Sequence, residues 1–313
     1  MILGVDLGGT KTLLALAEVV DGRPVVIRER RFLNRDYRDF DAILGEFLAD
    51  APALQGAAIG VAGPTDGREV QPTYLPWRLS AQALSAKFRL GPVTLVNDLA
   101  AAALGLPLLD PAQLTTLQAG QPLVGQPCVM LGAGTGLGVV GMVWQEGAYR
   151  AIPGEGGHMG FSPQTLEQDR LWLWLLEQRG RVTWEDVVSG PGLGRIHLFL
   201  GGEPRTPEVI GQAAMSGSDA RAQQALALWF AAFGAFAGDL ALHWLARGGV
   251  YLTGGIAPRL MPHLDPAPFL QAFNAKREHR HIAETMPVQL VRDERVVLLG
   301  ALALALAQRH HAG

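Results

Sequence analysis

The sequence predicts an α/β protein with two domains, and three observations support this prediction. The chain has 313 residues, whereas a single hydrophobic core rarely grows beyond about 250–300 residues. Its first part reads as hairpin strands followed by strands that alternate with helices, a pattern typical of α/β proteins. In addition, the order strand, glycine-rich turn, strand occurs near residue 8 and again near residue 134.

The first hundred residues supply most of the predicted strands. Short apolar segments with β-branched residues predict strands at residues 2–7, 12–19, 25–32, 57–62 and 93–96. Asp21-Gly22 is a hairpin signal between the second and third of these strands. Apolar residues at helical spacing predict a helix over residues 39–50, and another helix is predicted over residues 99–106.

The rest of the chain is predicted to be richer in helices. Residues 106–125, rich in Pro and Gln, are a candidate crossing between domains. Strands are predicted after it at residues 128–131, 139–144 and 250–253. Helices are predicted at residues 166–178, 187–200, 221–246 and 296–309. The last helix has a basic end that suits the negative pole of its dipole, and His310-His311 is predicted to be a solvated tail.

Composition and charge exclude several classes of protein. Hydrophobic residues make up 49% and charged residues 18% of the chain, which predicts a folded core rather than disorder. The net charge is −3 and no basic run exceeds Arg30-Arg31, so no nucleic-acid partner is expected. Cys128 is the one cysteine, which excludes an internal disulfide and a multi-thiolate zinc site and predicts a buried apolar role.

The N-terminus and the apolar segments predict a cytoplasmic protein. The first residues lack the basic region and the cleavage site of a signal peptide. The longest uncharged apolar run, residues 225–238, has 14 residues, fewer than the roughly 20 that a helix needs to span a bilayer. We therefore expect a buried helix there and no membrane association.

Three glycine-rich loops are the strongest functional signal. The first spans residues 6–12 (DLGGTKT) and differs from a P-loop, because a threonine separates Lys11 from the glycines and a strand follows. The second spans residues 132–138 (GAGTGLG) and differs from the dinucleotide fingerprint, because Leu137 occupies the position of the third glycine. The third spans residues 253–258 (TGGIAP) and also follows a strand.

These loops have the chemistry of phosphate-binding turns. Backbone N–H groups and a threonine hydroxyl can approach phosphate oxygens closely where glycines leave out the side chain. A carboxylate beside such a loop would repel phosphate unless a divalent cation lay between them. Asp6 is therefore a candidate magnesium-side carboxylate that acts through water. Each loop alone could be a simple hairpin turn, but three in this order favour phosphate binding.

The motifs and their order resemble those of a known family. The three loops resemble the two phosphate motifs and the adenosine motif of the hexokinase–actin–chaperone ATPase superfamily. Residues 95–98 (LVND), 153–158 (PGEGGH) and 188–193 (VSGPGL) resemble segments of the bacterial ATP-dependent glucokinase family, of the type without zinc. The resemblance keeps the same order from residue 2 to about residue 301, which is nearly the whole chain.

The resemblance implies a fold and an activity. The fold would be the two-lobed actin-like ATPase (ribonuclease H-like) fold with a ligand cleft between the lobes. The small lobe would be residues 1–107 plus 296–313, and the large lobe residues 108–295. The activity would be transfer of the γ-phosphoryl group of ATP, with Mg²⁺, to the 6-hydroxyl group of glucose. A homodimer is also implied, and zinc is not.

The resemblance also assigns residues to the site. Asn97 and Asp98 would hold the sugar, with Asp98 as the catalytic base. The other residues implied for sugar binding are Glu155, His158 and Glu185. The residues implied for ATP binding are Asp6, Gly8, Gly9, Thr10, Lys11, Gly134, Thr135, Gly136, Gly254 and Gly255. Where family members commonly have Thr-Asn-x-x-Trp, this chain has TYLPW at residues 73–77, so Tyr74 leaves the preference among hexoses open.

Other interpretations of the same residues stay open. Asn97-Asp98 would also serve as a helix N-cap, and His158 as a core histidine. Glu155 and His158 have the spacing of a di-iron motif, but such a motif needs a helix, which the two glycines between them disfavour.

The alternative functions are a kinase for another hexose or a hexosamine, a sugar-responsive regulator, and an ATPase switch. Because the first hairpin begins at residue 6, we expect no N-terminal DNA-binding domain of the kind that a regulator carries. ATPase switches lack the GEGGH loop that this chain carries at residues 154–158.

Overall fold

Residues 1–308 are described by the computed structural model, and they divide into two compact units. The first unit contains Met1–Pro111 and the chain from Asp293 onwards, and the second contains Ala112–Arg292. The sequence predicts lobe boundaries at residues 107/108 and 295/296, and as functional lobes these remain a prediction. Arg309, the predicted basic helix end, and the predicted tail His310-His311 lie outside the described residues.

The described chain alternates between strands and helices. The strands are β1 (Ile2–Leu7), β2 (Lys11–Val20), β3 (Arg23–Leu33), β4 (Ala57–Val61), β5 (Glu69–Val70), β6 (Leu79–Ser80), β7 (Val93–Asn97), β8 (Leu114–Gln118), β9 (Cys128–Ala133), β10 (Leu137–Gln145), β11 (Ala148–Gly154), β12 (Gly249–Thr253) and β13 (Val288–Val291). The α-helices are α1 (Phe40–Phe47), α2 (Ala81–Phe88), α3 (Asp98–Gly105), α4 (Leu166–Arg179), α5 (Trp184–Val187), α6 (Gly190–Phe199), α7 (Pro207–Ser216), α8 (Ala220–Trp244), α9 (Ala257–Leu260), α10 (Ala267–Asn274), α11 (Arg280–Ala283) and α12 (Val296–Gln308).

A five-stranded sheet is the framework of the first unit. Its strand order is β3-β2-β1-β4-β7, and β5 pairs separately with β6. The strands β1, β2 and β3 are antiparallel neighbours, whereas β4 and β7 run parallel to β1. As predicted, Asp21 and Gly22 form the turn between β2 and β3, and both have positive φ.

Helices cover both faces of this sheet because successive side chains of a strand point to opposite sides. Leu3, Val5 and Leu7 of β1 pack in one apolar cluster with residues of α1 and α2. Ile2 lies on the other face in a cluster with α12, and α12 packs in turn against α3. The C-terminal helix therefore belongs to the core of the N-terminal sheet.

Glycines let α12 and α3 pack backbone to backbone. A Cβ atom on Gly300 of α12 would overlap the carbonyl group of Ala101 in α3. A Cβ atom on Gly105 of α3 would likewise overlap the carbonyl group of Val296. This close crossing fixes α3, the helix whose first residue is Asp98.

The second unit repeats the strand order of the first. Its six-stranded sheet has the order β11-β10-β9-β12-β13-β8. The strands β9, β10 and β11 are antiparallel neighbours, β12 and β13 run parallel to β9, and β8 is antiparallel to β13. Apart from β8, order and direction match the first sheet. The two glycine turns noted in the sequence thus occupy equivalent positions, β1–β2 and β9–β10.

Helix α8 is the central helix of the second unit. It contacts α5, α6, α7 and α10, and its Trp229, Phe233 and Phe236 are fully buried. The helix has 25 residues, and by length and composition it is long and apolar enough to span a membrane. The prediction that this segment is too short to span a bilayer, made from its 14-residue apolar run, is therefore wrong. Because 78% of its most apolar window is buried inside the protein, the expectation of a buried helix is confirmed by packing.

Two predicted elements differ from the structure. The helix predicted over residues 187–200 is α6, which begins only at Gly190, because Ser189 caps it and Pro191 lies in its first turn, while Val187 ends the separate short helix α5. The loop predicted over residues 132–138 is a turn of residues 134–136, since β9 and β10 extend into it. The elements without a counterpart in the sequence prediction are α2, α5, α7, α9, α10, α11, β5, β6, β8, β11 and β13. Of these, β8 and β11 are edge strands without a buried apolar run.

Candidate functional site

In the first unit, the carboxyl ends of the parallel strands gather polar side chains. Asp6 lies near the end of β1, and Asn97 is the last residue of β7. Register links both to β4, because Asp6 pairs with Gly60 and Asn97 pairs with Val61. Two strand spacings separate β1 from β7, about 10 Å. The sheet thus brings these predicted site residues to one edge.

Asp98 is held by one oxygen of its carboxylate. Its Oδ1 accepts hydrogen bonds from the backbone N–H of Leu99 at 2.8 Å and from Asn97 Nδ2 at 3.2 Å. Within residues 1–308, no other residue donates a hydrogen bond to its Oδ2. Burial raises the pKa of Asp98, and the bonds from Leu99 and Asn97 oppose that rise. The geometry leaves one oxygen atom available to an incoming hydroxyl group.

Asn97 is the N-cap of α3. Its Oδ1 accepts from the backbone N–H groups of Leu99 and Ala100, both at 3.1 Å. The helix-cap interpretation is therefore confirmed as one role of Asn97. The same amide group donates to Asp98 through Nδ2, so the cap also orients the carboxylate.

Asp6 has a carboxylate whose charge is poorly compensated. Burial raises its pKa to about 7, and the negative charges of Asp98 and Glu294 add to the rise, while Lys11 opposes it. No side-chain hydrogen bond to Asp6 is formed within the described part of the chain. A partly buried carboxylate in this state fits a hydrated divalent cation, which would supply the missing positive charge.

The first glycine loop is the tip of the β1–β2 hairpin. Gly8 N–H donates to the carbonyl oxygen of Lys11 at 3.0 Å, which closes the turn. A Cβ atom on Gly9 would lie 3.0 Å from Tyr74 Cβ, so the residue that departs from the family pattern lies against this loop. Lys11 forms an ion pair with Glu294 at 2.8 Å, and Thr10 at the tip is exposed.

Asn34 supports this loop, and the sequence analysis missed it. Its Nδ2 donates to the carbonyl oxygen of Gly8 at 2.8 Å, and its Oδ1 accepts from Thr12 Oγ1 at 2.6 Å. Its backbone N–H donates to the carbonyl oxygen of Thr10 at 3.0 Å. The side chain is 4% exposed. The only sequence signal for this role is an Asn directly after a strand, and Asn is common at such turn positions.

The second glycine loop, in the second unit, also accepts a hydrogen bond from a residue outside the loop. Gly134 N–H donates to Gly136 O at 2.9 Å within the turn, and Gly190 N–H donates to Gly134 O at 2.7 Å. Gly190 is the first residue of α6. The motif at residues 188–193, to which the sequence analysis assigned no role, therefore anchors this loop.

The third glycine turn packs beside the second loop. Gly254 has φ of +99°, and a Cβ atom there would overlap the backbone of Ala133. Ile256 N–H donates to the carbonyl oxygen of Ala133 at 3.3 Å. A Cβ atom on Gly134 would lie 3.7 Å from the nitrogen of Gly255. The predicted phosphate and adenosine motifs of the second unit are thus direct neighbours.

The predicted sugar loop packs on β10 just after the second glycine loop. A Cβ atom on Gly157 would overlap the carbonyl group of Leu137, which fixes the loop there. Residues 156–158 form a single 3₁₀ turn rather than the helix of a di-iron motif. Glu155 and His158 are exposed, with 4.0 Å between Oε2 and Nε2, so the core-histidine interpretation of His158 is wrong.

Glu185 contacts the same β10 residue. Its Oε2 accepts from the backbone N–H of Leu137 at 2.9 Å, and its carbonyl oxygen accepts from Ser189 Oγ at 2.7 Å. The predicted sugar-binding glutamate therefore also supports the second glycine loop. As a sugar ligand, through its other oxygen, it remains a prediction.

Each unit thus collects one set of predicted site residues. The first unit carries Asp6, Gly8, Gly9, Thr10, Lys11, Asn97 and Asp98. The second unit carries Gly134, Thr135, Gly136, Glu155, His158, Glu185, Gly254 and Gly255. Among residues 1–308, no three His, Cys, Asp or Glu side chains form a cluster suited to direct metal coordination. Cys128 is buried, as expected.

The chain is similar to known proteins over nearly its whole length. The family model described as Glucokinase matches residues 3–308. A curated glucokinase of Nostoc sp. is 34% identical, and the match covers 97% of this chain and 98% of that protein. A crystal structure of a glucokinase from an Antarctic psychrotroph is 28% identical with a TM-score of 0.88, covering 97% of this chain and 98% of the other. The glucokinase of Balamuthia mandrillaris in complex with glucose, 22% identical with a TM-score of 0.81 and coverages of 97% and 93%, supports the fold alone.

Proposed function

Because the chain belongs to the glucokinase family, we propose that it transfers the γ-phosphoryl group of ATP to the 6-hydroxyl group of glucose. The products are glucose 6-phosphate and ADP. The fold of the family is the actin-like ATPase fold, so that prediction is confirmed. The activity is an ATP-dependent hexose kinase, and phosphoryl transfer of this kind depends mostly on positioning and on charge stabilisation.

The observation that carries the proposal is the Asp98 carboxylate. Its Oδ1 is occupied by the Leu99 N–H and by Asn97, while its Oδ2 accepts from no other residue within residues 1–308. We assign to Oδ2 the proton of the attacking sugar hydroxyl. Asn97 holds the carboxylate in place and, through the second N–H of its amide group, can donate to a sugar hydroxyl.

We assign ATP binding to the glycine loops of both units. Amide groups and the Thr10 and Thr135 hydroxyls bind phosphate oxygens, and the turn at Gly254 and Gly255 lies against the adenosine. Asp6 would hold Mg²⁺ through water, and the cation supplies positive charge to the phosphates when bound. The ion pair of Lys11 with Glu294 places the Lys11 ammonium group beside the first loop.

We assign sugar recognition to a set of carboxylates with one amide and one imidazole. Asn97, Asp98, Glu155, His158 and Glu185 form this set, because carboxylates accept hydrogen bonds from sugar hydroxyls in fixed directions. Tyr74, which replaces the common Asn, lies against Gly9 of the phosphate loop. A kinase for another hexose or a hexosamine is therefore the second candidate.

ADP release with Mg·ATP tests the function directly. We expect strong stimulation by glucose and weaker stimulation by mannose, fructose, glucosamine and N-acetylglucosamine. Stimulation by one of the other sugars alone would keep the mechanism and change the substrate. ADP release that no sugar stimulates would contradict the proposal and favour an ATPase switch. Binding of duplex DNA without sugar kinase activity would favour a regulator.

Asp6→Asn tests the assignment of the raised pKa. The folded protein favours the protonated Asp6, because its pKa lies near 7 rather than at 3.8. The stability that this preference contributes is complete below pH 3.8 and is lost as the pH rises through about 7. We therefore expect Asp6→Asn to unfold at a higher temperature than the parent above pH 7, with a difference that shrinks toward pH 4. A difference independent of pH in ligand-free thermal unfolding would contradict the raised pKa.

The proposal extends to location and assembly. We propose that this protein, as a kinase that consumes ATP and a free hexose, acts in the cytoplasm. We propose no membrane or nucleic-acid partner for it. The family resemblance implies a homodimer, which light scattering coupled to size-exclusion chromatography would test.

A further inference from the structure

We infer that Asn34 is a positioning residue that holds the first phosphate loop in the shape that receives ATP. The inference rests on the proposed function, because it concerns how the same loop binds a nucleotide phosphate. Asn34 lies directly after β3, and it reaches the hairpin tip at residues 8–12 through three hydrogen bonds. It touches the carbonyl groups of the loop from inside the protein and would not touch ATP.

The bond from Asn34 replaces a bond that the hairpin would otherwise make itself. Gly8 N–H donates to Lys11 O, but the return bond from Lys11 N–H to Gly8 O is not formed among the described residues. The carbonyl oxygen of Gly8 accepts instead from Asn34 Nδ2 at 2.8 Å. The hairpin end is therefore opened on one side and held there by a buried side chain.

This bond determines where the next amide group points. In a planar trans peptide, the carbonyl group of one residue and the N–H of the next point in opposite directions, and no cis peptide bond occurs within residues 1–308. Holding the carbonyl group of Gly8 toward Asn34 turns the N–H of Gly9 away from it. Within the described chain, the N–H groups of Gly9 and Thr10 donate no hydrogen bond. They are available to an anion.

Asparagine suits this position because it carries one acceptor and one donor on the same planar group. Thr12 Oγ1, which is fully buried, donates to Oδ1 and thereby orients the amide so that Nδ2 faces Gly8. Aspartate would place a second acceptor against the carbonyl oxygen of Gly8. An apolar side chain would leave both partners unsatisfied in the interior.

The second glycine loop has the same kind of support, with a backbone donor in place of a side-chain donor. The carbonyl oxygen of its first turn glycine, Gly134, accepts at 2.7 Å from the backbone N–H of Gly190. Both loops thus have the carbonyl group of the glycine before the tip held by a donor from a different segment. The equivalent positions of the two turns in the two sheets support a shared purpose, which is to aim amide groups at phosphate.

The test is Asn34→Asp, which has nearly the same shape but replaces the donor to Gly8 by an acceptor and adds a negative charge. We expect Mg·ADP, measured by calorimetry without sugar, to bind about 10- to 100-fold more weakly, the effect of losing one buried hydrogen bond and adding a repulsive contact. KM for ATP should rise by a similar factor, while KM for glucose stays within about twofold. A purely structural role would not separate the two substrates in this way.

Ser85→Ala is the matched control. Ser85 Oγ donates to the carbonyl oxygen of Gly91 in the same unit, away from the loop. We expect this variant to lose stability and keep its affinity for Mg·ADP. Asn34→Ala, which adds no charge, is the second variant and should weaken Mg·ADP as Asn34→Asp does.

A folded Asn34→Asp protein with parental affinity for Mg·ADP would overturn the inference. So would failure of both Asn34 variants to fold, because the role would then be structural. The nucleotide measurement needs no turnover. If the parent binds Mg·ADP but phosphorylates no glucose, the proposed function fails while the Asn34 experiment still gives its answer.

Discussion

Asp98→Asn is expected to lower kcat by about 10²–10⁴-fold, the usual contribution of a general base. The substitution keeps the shape of the side chain and its Oδ1, which can still accept from the Leu99 N–H. What it removes is the basic oxygen assigned to the proton of the sugar hydroxyl. Binding of glucose should weaken modestly, so kcat/KM should fall mainly through kcat. Steady-state rates of ADP formation over a range of glucose concentrations would measure both.

Asp66→Asn is the control for loss of a negative charge. Asp66 also accepts two backbone N–H groups through Oδ1, from Arg68 and Glu69, and it lies in an exposed turn of the same unit. We expect this variant to keep its kcat. Near-normal turnover in Asp98→Asn would remove the catalytic role from Asp98, and its hydrogen bond with the Leu99 N–H in the first turn of α3 would remain as its role.

The pH profile of the parent should agree with this assignment. Asp98 must be ionised to accept a proton, and burial raises its pKa above the ordinary 3.8. We therefore expect kcat to decline on acidification at a pH above that value. Asp98→Asn should lose this dependence. A profile that is flat down to about pH 4 would contradict the raised pKa.

Gly300→Ala is expected to give the largest loss of stability among single methyl additions in the first unit. A Cβ atom there would overlap the carbonyl group of Ala101, so α12 and α3 would have to move apart. Overpacking in a core usually costs about 1–3 kcal/mol, and we expect the upper end or more, because the obstacle is backbone and cannot rotate away. The free energy of unfolding from urea titration would measure the loss.

Gly45→Ala is the matched control, since Gly45 is also a helical glycine of the first unit. A Cβ atom there would lie 3.7 Å from Phe88, an ordinary contact. Replacing a helical Gly by Ala then raises stability by up to about 1 kcal/mol. Equal stabilities for the two variants would show that the crossing of α3 and α12 tolerates a methyl group. Because Asp98 begins α3, Gly300→Ala should also lower kcat in the fraction that stays folded.

Much of the fold follows from local sequence. The apolar strands at both glycine turns, the Asp21-Gly22 hairpin and the long helix α8 are where the sequence predicts them. These features depend on side-chain alternation, on φ preferences and on helical spacing, all of which act over a few residues. The sequence prediction places the start of α6 three residues too early, at residue 187, although Ser189 and Pro191 signal a start at Gly190.

The sequence by itself determined the residue types of the site and the order of its motifs. The resemblance to a family of kinases needs no more than Asp98, the glycine loops and the loop at residues 153–158 in this order. Tertiary structure alone decided which oxygen of Asp98 is available, the pKa of Asp6 near 7 and the support of the first loop by Asn34. Tertiary structure likewise decided the bond from Leu137 to Glu185. The physical reason is that burial and hydrogen bonding join residues far apart in the chain, and no local pattern records which donor meets which acceptor.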